Sequence, residues 1–395
     1  MKIRGFSFGT ELNELKKFEN LDNDEKQIVF YSENQNSSFI FESLIDELIN
    51  KHNVSICYVT SSKEEPILKT TNEKIKTFFI GEGVAMTKFF LNLKADILIM
   101  TMPDLETFHI KRSKIYPVHY VYLFHAMLST HLVYQKNAFD HFDTIFCVGN
   151  YQIEEIRKTE NFYNLKPKNL IKFGYNHLDN LIKKYSKKEN FLPKEKFNQI
   201  LIAPGWGKNG LFETVIEKVI DVLLEAKYKV VLRPHPMTQK KSKKKISFLD
   251  KKFSSSPNFT LEQCITNFDS FAHSDVMITD WSGVALEFAF TFERPVLYFD
   301  VPKKMHNPDY KNIPNIPIEE SIRDKIGEII SPSDIDSTPR RIEELCKKSK
   351  IVTEQIKKLR DETIFNIGKS DKVGAEEIIK LLNQLKKEHS QVKLD

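Results

Sequence analysis

Short apolar runs alternate along the chain with longer segments in which apolar residues recur at helical spacing. In the first half, the apolar runs predict strands at Gln27–Glu33, Ser55–Thr60, Thr77–Ile80, Ala95–Thr101, Val118–Phe124 and Thr144–Val148. Between the first two, Ser38–Lys51 carries a broad apolar stripe and predicts a helix. A second series follows, with strands predicted at Gln199–Ile202, Lys229–Leu232, Val276–Thr279 and Val296–Phe299. Such alternation is typical of a parallel sheet with helices on both faces.

The pattern restarts after a lysine-rich stretch, Lys183–Phe197, which indicates two domains of the same class. The length of 395 residues also exceeds the usual size of one domain. We therefore predict an α/β protein with two Rossmann-like domains that face each other across a cleft. The predicted division is an acceptor-side domain at 1–172, a nucleotide-donor-binding domain at 173–375 and a charged tail at 376–395.

Composition excludes several classes of protein. The net charge of +5 is small for this length and does not by itself indicate nucleic-acid binding. The four cysteines are far apart and form no C-x-x-C pair, so a zinc site is not expected and reduced thiols are the default. The N-terminus lacks the apolar run of a signal peptide, and no run of eighteen apolar residues occurs. We expect a protein of the cytoplasm or of the inner face of the cell membrane.

The most informative segment joins the predicted strand Val276–Thr279 to the helix Val284–Phe292 through Asp280, Trp281, Ser282 and Gly283. In parallel α/β folds such turns lie at the carboxyl edge of the sheet, where ligands bind. Ser282 and Gly283 open the helix, and its free N–H groups favour a phosphate. The alternative interpretation is ordinary N-capping by Ser282, with Asp280 buried as an acceptor at the end of the strand.

Two further turns follow neighbouring predicted strands. Arg233 and His235 alternate with Pro234 and Pro236, which hold the cation and the imidazole on a stiff backbone. The turn after Gln199–Ile202 contains Pro204, Gly205 and Trp206, and Lys208 and Asn209 extend it. Each turn alone could be structural, and Trp206 could either line a nucleotide base or pack in the core. Together the three turns predict one polar rim that binds the donor's phosphates and nucleotide.

These residues resemble the motifs of a known family. Ala203–Trp206, Arg233–Pro236 and Ser274–Asp300 are similar to the APTW, KPHP and aDvLITDYSS…rPiifF motifs of the CDP-glycerol glycerophosphotransferases, the teichoic-acid primases and polymerases. Phe173–Asp179 resembles that family's G-x-P-R-x-D segment. Phe124–Leu128 takes the place of its W-H-G-T-P-L-K segment, from which only the aromatic residue and His125 are kept. The resemblance covers about residues 116–305 and implies a GT-B transferase.

The resemblance also implies roles for single residues. His125 follows the strand Val118–Phe124 and would act as the base for the acceptor hydroxyl, since histidine titrates near neutrality. The nearby His131 would contact the acceptor. His235 would steady the donor phosphate, and Glu287 would accept a hydrogen bond from the ribose. A structural role is the alternative for each of these side chains.

No cofactor or metal is expected. Two D-x-D runs occur, Asp22–Asp24 and Asp334–Asp336, but both lie in polar stretches away from the predicted donor turns. Helix N-terminal N–H groups, Ser282, His235 and Arg233 would neutralise the diphosphate instead. We therefore expect a metal-independent transferase.

Two lysine-rich stretches suggest a further partner. Lys240–Phe253 and Lys183–Phe197 mix lysines with bulky apolar residues, a combination that suits an anionic membrane surface. A solvated face is the ordinary alternative. No stacking-aromatic motif accompanies either stretch, so nucleic acid is not an expected partner.

The sequence therefore predicts a transferase that moves a glycerol-phosphate-like unit from a CDP-activated donor to a hydroxyl of a cell-surface polysaccharide or lipid-linked acceptor. Because the Gly-Thr-Pro-Leu-Lys part of one motif is missing, the transferred group stays open. A glycosyltransferase that uses a CMP-, UDP- or GDP-linked sugar for capsule or lipopolysaccharide synthesis is the alternative. A non-catalytic nucleotide-binding module is the second.

Overall fold

The structure, a computed structural model, describes residues 8–34, 38–107, 109–185, 197–264 and 267–392. Among these residues the chain forms two compact units. The first unit contains the chain up to His125, then Tyr134–Asp179, and the chain from Phe365 onward. The second contains Ala126–Val133 and, from Asn180 on, the chain to Ile364. Most of the lysine-rich stretch Lys183–Phe197, at 186–196, lies outside the described residues.

The first unit is built on a parallel sheet of seven strands in the order β3-β2-β1-β4-β5-β6-β7. The strands are β1 (Ile28–Ser32), β2 (Ile56–Thr60), β3 (Ile75–Phe79), β4 (Ile97–Met100), β5 (His119–Leu123), β6 (Thr144–Cys147) and β7 (Asn169–Lys172). The helices are α1 (Phe8–Glu19), α2 (Ser38–His52), α3 (Val84–Asn92), α4 (Asn150–Tyr163), α5 (Asn176–Tyr185) and the C-terminal α15 (Ser370–Val392). Short 3₁₀ turns occur at Asn23–Lys26 and Pro66–Lys69.

The second unit has a parallel sheet of six strands in the order β10-β9-β8-β11-β12-β13. The strands are β8 (Gln199–Ile202), β9 (Lys229–Leu232), β10 (Phe259–Leu261), β11 (Val276–Thr279), β12 (Val296–Phe299) and β13 (Gly327–Ile330). The helices are α6 (Leu211–Thr214), α7 (Ile216–Glu225), α8 (Pro236–Lys241), α9 (Lys243–Phe253), α10 (Asp269–His273), α11 (Val284–Phe292), α12 (Ile318–Ser321), α13 (Thr338–Lys347) and α14 (Ser349–Thr363). Short 3₁₀ turns occur at Pro308–Asn312 and Pro332–Ser337.

The apolar patterns account for both cores. In the second unit, buried residues of β8, β11 and β12 pack with the inner face of α7, where Val219, Ile220 and Leu223 are fully buried. In the first unit, aromatic side chains meet edge to face, as Phe30 does with Phe41 at a ring-centroid distance of 5.3 Å. Such pairs contribute about 0.5–1.5 kcal/mol beyond the area they bury.

The division of the chain differs from the predicted one. The units change within α5, between Asp179 and Asn180, close to the predicted boundary at residue 172, but the chain from Phe365 onward returns to the first unit. The segment expected to be a charged tail is part of the long helix α15, which packs against α2 and buries Leu381, Leu382 and Leu385 in the first unit. The tail's charges lie on the outer face of an amphipathic helix, so they do not prevent the inner face from packing.

Two residues of the segment Phe173–Asp179 bind the chain that returns to the first unit after Phe365. The carboxylate of Asp179 accepts hydrogen bonds from the N–H groups of Gly368 (2.6 Å) and Ser370 (3.0 Å), where α15 begins. A Cβ at Gly174, whose φ is +103°, would lie 2.3 Å from the carbonyl oxygen of Phe365. The segment therefore has a structural role in closing the first unit.

Candidate functional site

Three of the sequence-predicted turns lie side by side in the second unit. They follow β9, β8 and β11, which are adjacent strands, so the turns share the carboxyl edge of one sheet. The sequence predicted that these turns follow neighbouring strands, and the strand order confirms it. Strand β12 lies next to β11 in the sheet, and the loop after it brings residues 302–306 to the same edge.

Asp280 joins two of these turns. Its side chain is 3% exposed, and its two carboxylate oxygens accept hydrogen bonds from the N–H groups of Gly205 (2.6 Å) and Leu211 (2.8 Å). Just before it, the hydroxyl of Thr279 donates to the carbonyl oxygen of Ala203 (2.7 Å). Of the two interpretations offered by the sequence, the buried acceptor is the one that describes Asp280. Asp280 fixes the path of the 203–210 loop.

The glycines of that loop are required by this contact. A Cβ at Gly205 would lie 2.9 Å from one carboxylate oxygen of Asp280, and a Cβ at Gly210 would lie 3.0 Å from the other. Both distances are shorter than ordinary van der Waals contact. The loop can approach the carboxylate only because these two positions have no side chain.

The loop and its neighbours enclose a pocket of about 270 Å³. It is lined by residues 205–210, by Asp280 and Trp281, and by residues 302–306. Trp281 is fixed at its wall, because its indole N–H donates to the carbonyl oxygen of Val301 (2.9 Å) and the Arg323 guanidinium stacks on its ring at 4.2 Å. The pocket thus contains the predicted residues Gly205, Trp206 and Asp280, with Pro204 buried directly before them.

Trp206 is surrounded by basic side chains. The ammonium groups of Lys241 and Lys304 lie 4.6 Å and 4.2 Å from the centre of its ring. The rings of His235 and His306 lie 6.3 Å and 6.0 Å from it, centroid to centroid. Cations over an indole face are attracted by its π electrons. We call these five residues the Trp206 cluster; an assembly of this kind favours an anionic ligand.

His235 is held in one tautomer by the chain that follows it. Its Nδ1 accepts a hydrogen bond from the N–H of Met237 (3.0 Å), which makes His235 the N-cap of α8. The proton of the neutral ring is therefore on Nε2, which is left as a donor. Burial, and then the charge of Lys304, lowers the pKa of His235 to about 4. Near neutral pH the ring is an uncharged hydrogen-bond donor.

Six residues predicted for the donor site are not among those that line the pocket: Pro204, Arg233, His235, Ser282, Gly283 and Glu287. Arg233 is 8% exposed and donates to the carboxylate of Glu262 (3.2 Å) and to the carbonyl oxygen of Asn267. Ser282 and Gly283 are half-buried where α11 begins, and a Cβ at Gly283 would touch Leu128. Glu287 is buried within α11. Arg233 therefore stabilises the neighbouring turn rather than facing this pocket.

The residues at 303–306 were missed by sequence reasoning. Lys303, Lys304 and His306 follow a strand that was predicted correctly, so their place at the ligand edge of the sheet could have been inferred. Burial lowers the pKa of Lys304 to about 8, although the Asp280 carboxylate opposes this change. Burial and the charge of Lys304 lower the pKa of His306 as well.

His125 lies in the first unit, at the end of β5. Its Nδ1 is 3.2 Å from the carbonyl oxygen of Thr101, and its own carbonyl accepts from the Tyr175 hydroxyl (2.9 Å). A carbonyl oxygen can only accept, so Nδ1 carries the proton and Nε2 has the lone pair. The residue as a whole is exposed at this end of the strand, but desolvation lowers the pKa of its ring. His125 and His235 are therefore fixed in opposite tautomers, one as an acceptor at Nε2 and the other as a donor.

His131, predicted to be on the acceptor side, lies in the second unit with the rest of Ala126–Val133. It is buried, with Nε2 3.2 Å from the carbonyl oxygen of Asn315, and its own carbonyl accepts from Asn307 (2.9 Å). The segment 126–133 thus packs on the loop after β12. Its contacts here give His131 a structural role.

The described part of the chain contains no group of three or more His, Cys, Asp or Glu side chains that could hold a metal ion. The two D-x-D runs lie in 3₁₀ turns at Asn23–Lys26 and Pro332–Ser337. Within the same described ranges, every helix is too short or too polar to cross a bilayer.

Comparison with known proteins identifies the family to which the chain belongs. Residues 14–314 match the model of the CDP-glycerol:poly(glycerophosphate) glycerophosphotransferases, a span that includes His125 and the whole pocket. The chain belongs to this family. It is therefore a transferase of the glycerophosphotransferase type, which confirms the resemblance seen in the motifs. A search of curated protein sequences found no match.

Solved structures show the same fold. A variant of the wall teichoic acid polymerase TagF, soaked with CDPG, is 16% identical with a TM-score of 0.60, over 95% of this chain and 94% of that one. UDP-GlcNAc 2-epimerase from Methanocaldococcus jannaschii, in complex with UDP-GlcNAc and UDP, is 15% identical with a TM-score of 0.55, over 91% and 100%. MnaA from S. aureus with UDP is 14% identical with a TM-score of 0.52, over 90% and 95%. The two parallel-sheet domains are those of the GT-B fold.

The role of Asp280 predicts the effect of a conservative change. In Asp280→Asn, an amide N–H₂ group must face a backbone N–H that the carboxylate now satisfies. We expect the second unit to lose about 1–3 kcal/mol of unfolding free energy, the usual cost of an unmade buried hydrogen bond. The only two tryptophans of the chain, Trp206 and Trp281, line the pocket, so urea unfolding followed by tryptophan fluorescence reports on this unit.

Asp336→Asn is the matched control, because that carboxylate is 74% exposed and pairs with Lys218 at the surface. It should change the unfolding free energy by less than about 0.5 kcal/mol. Equal stabilities for the two variants would show that Asp280 does not brace the loop.

Proposed function

We propose that this protein transfers a glycerophosphate unit from CDP-glycerol to a hydroxyl group of a cell-surface polysaccharide or lipid-linked acceptor, with release of CMP. The observation that carries the proposal is the family match, which extends over most of both units. The TagF structure with the same fold was obtained with CDPG, which supports a CDP-linked donor. The basic, partly aromatic pocket of the second unit is the proposed donor site.

In the proposed reaction, Nε2 of His125 takes the proton of the acceptor hydroxyl. The acceptor oxygen then forms a bond to the β-phosphorus of the donor, and the bond from that phosphorus to the bridging oxygen breaks. CMP leaves with the bridging oxygen and its electron pair. The contact from Nδ1 to the Thr101 carbonyl supports this role, because it leaves Nε2 unprotonated.

His235 has the complementary role. Its Nε2–H would donate to the donor's phosphate oxygens, and the N-cap contact with Met237 fixes that tautomer. Because its pKa is lowered to about 4, the ring stays a neutral donor throughout the physiological range. Fixed donors of this type stabilise developing negative charge without reorganisation.

Transfer of a sugar is the second candidate, because Ala126, Met127 and Leu128 stand where the family has Gly-Thr-Pro. The two candidates differ in the donor that is consumed and, for UDP- and GDP-linked sugars, in the nucleotide product, since transfer from a CMP-linked sugar would also release CMP. Glycerophosphate transfer from CDP-glycerol releases CMP, whereas sugar transfer from a UDP- or GDP-linked donor releases the nucleoside diphosphate. Incubating the protein with each donor and identifying the released nucleotide by chromatography separates them.

Substitutions of His125 and His235 should have different effects on turnover and on CDP binding. His125→Ala should lower turnover of CDP-glycerol by about a hundredfold or more, the usual contribution of a general base, with little change in CDP affinity. His235→Asn keeps an acceptor for the Met237 N–H but loses the ring N–H, so it should weaken both CDP binding and turnover. Calorimetry and CMP release measure the two effects, and exposed His273 is replaced by Ala as the control. Normal turnover in His125→Ala would exclude this residue as the base.

Turnover should not require a divalent ion. The lysines and the histidine N–H groups of the Trp206 cluster can neutralise the diphosphate. We therefore expect full CMP release after dialysis against EDTA. The same preparation with added Mg²⁺ or Mn²⁺ is the comparison. Activity that is lost in EDTA and restored by only one of these ions would contradict metal independence.

We also propose that the α9 surface associates with anionic membranes. Lys243, Lys244 and Lys251 are exposed on one face of α9, and Phe248 between them is 51% exposed. The opposite face buries Ile246, Leu249 and Phe253. Lysines beside an exposed aromatic ring suit phospholipid headgroups, with about 1 kcal/mol for each lysine near the surface. A lipid-linked acceptor would require such an approach.

Vesicle sedimentation tests this surface. The wild-type protein should bind phosphatidylglycerol-containing vesicles and not pure phosphatidylcholine vesicles. Replacing Lys243, Lys244 and Lys251 with Gln should weaken binding by about a hundredfold, from three lysines at about 1 kcal/mol each. The control replaces three exposed lysines elsewhere, Lys347, Lys348 and Lys350, with Gln. If both triple variants bind equally, α9 is not the membrane surface.

A further inference from the structure

Two adjacent lysines of the pocket differ in their partners. Lys303 forms an ion pair with Glu320 at 2.5 Å and contacts the Tyr310 hydroxyl at 3.3 Å. Lys304 has neither an ion pair nor a hydrogen bond within the described parts of the chain, and its ammonium lies over Trp206. Lys303 is thus neutralised by the protein, whereas Lys304 presents its charge to the pocket.

Partial burial makes the protonated, charged form of Lys304 less favourable than it is in water. Lys304 is half-buried, and burial lowers its pKa to about 8 in spite of the Asp280 carboxylate. Asp280 compensates it incompletely, because both of its oxygens already accept backbone hydrogen bonds. A partly desolvated cation is stabilised most by an anion that binds directly to it. The geometry therefore favours an anionic group at this place.

The groups that face Lys304 point to the kind of anion. His235 and His306 flank Trp206, and the charge of Lys304 helps to lower the pKa of both. Lys241 lies over the same indole. Two lysines and two imidazoles around one indole suit a ligand with more than one phosphate group, and Lys304 and His306 are the members that line the pocket. Lys303 is occupied by Glu320 and does not compete for the ligand.

We propose that Lys304 is the binding residue that makes this pocket select a nucleoside diphosphate over a nucleoside monophosphate. The inference rests on the proposed function and extends it, since the donor contains the CDP group and the product is CMP. When transfer removes one phosphate from the nucleotide, the product loses contacts to the Trp206 cluster. The same residue therefore holds the donor and allows the product to leave.

The test compares CDP and CMP as probes for four proteins: wild type, Lys304→Met, Lys304→Arg and Lys229→Met. Lys229 is exposed at the amino end of β9, the opposite edge of the sheet, so its replacement removes the same charge away from the pocket. Dissociation constants come from calorimetry and from the fluorescence of the two pocket tryptophans. Thermal melting of each variant shows that it is folded.

Lys304→Met should bind CDP about ten- to a hundredfold more weakly, the usual worth of a hydrogen bond to a charged group, and CMP nearly as well as wild type does. Lys304→Arg should restore CDP binding because it keeps a cation. Lys229→Met should match wild type. Unchanged CDP affinity in Lys304→Met, or an equal loss for CDP and CMP, would overturn the inference. A wild-type protein that binds neither nucleotide would instead overturn the proposed donor, and the inference with it.

The pH dependence is a second readout. With a pKa of about 8, Lys304 is protonated below that pH and loses its charge above it. His235 and His306, with lowered pKa values, are neutral throughout this range, and CDP is fully ionised. The CDP affinity of the wild type should fall between about pH 7.5 and about pH 9.5, while that of Lys304→Arg stays constant, because arginine keeps its proton. Parallel curves for the two proteins would contradict the role of Lys304.

Discussion

The pocket of the second unit depends on one buried carboxylate. Asp280 ends β11, and its two oxygens hold the N–H groups of Gly205 and Leu211, which follow the neighbouring strand β8. A buried carboxylate is tolerated only when its oxygens are hydrogen-bonded. The loop therefore cannot move away without leaving that charge unsatisfied. Trp206, carried on the same loop, is held where the two lysines and two histidines can gather around it.

Backbone contacts also decide the chemistry of the two histidines. His125 and His235 both follow apolar strands, and nothing in the sequence around them specifies which ring nitrogen is protonated. The Nδ1 of His125 meets a carbonyl oxygen, whereas the Nδ1 of His235 meets an N–H group. The first contact leaves a base at Nε2 and the second leaves a donor. The sequence could propose both residues, but only the local backbone separates their roles.

The central strands were predicted well from sequence because they are short apolar runs, buried on both faces, and bounded by polar turns. The edge strands β10 and β13 were missed. β10 has only three residues, and β13 begins with a glycine and has one buried residue among its four, so neither produces a strong apolar run. The packing of α15 on the first unit was not predicted for another reason. The carboxylate that binds the start of this helix, Asp179, is 189 residues from the N–H of Gly368. No local pattern contains that contact.

The sequence predicted which turns form the site, but it did not predict which side chains of those turns face the pocket. The strand order places the arginine and the lysine loop on the same edge, yet Arg233 turns to Glu262 while Lys304 faces the pocket. This difference matters chemically, because an arginine stays charged at all physiological pH values and a half-buried lysine does not. With Lys304 as the half-buried cation that faces the pocket, binding of a phosphate anion would favour its protonated form. If the proposed role of Lys304 holds, ligand binding takes up a proton near pH 8, which an arginine at the same place would not do.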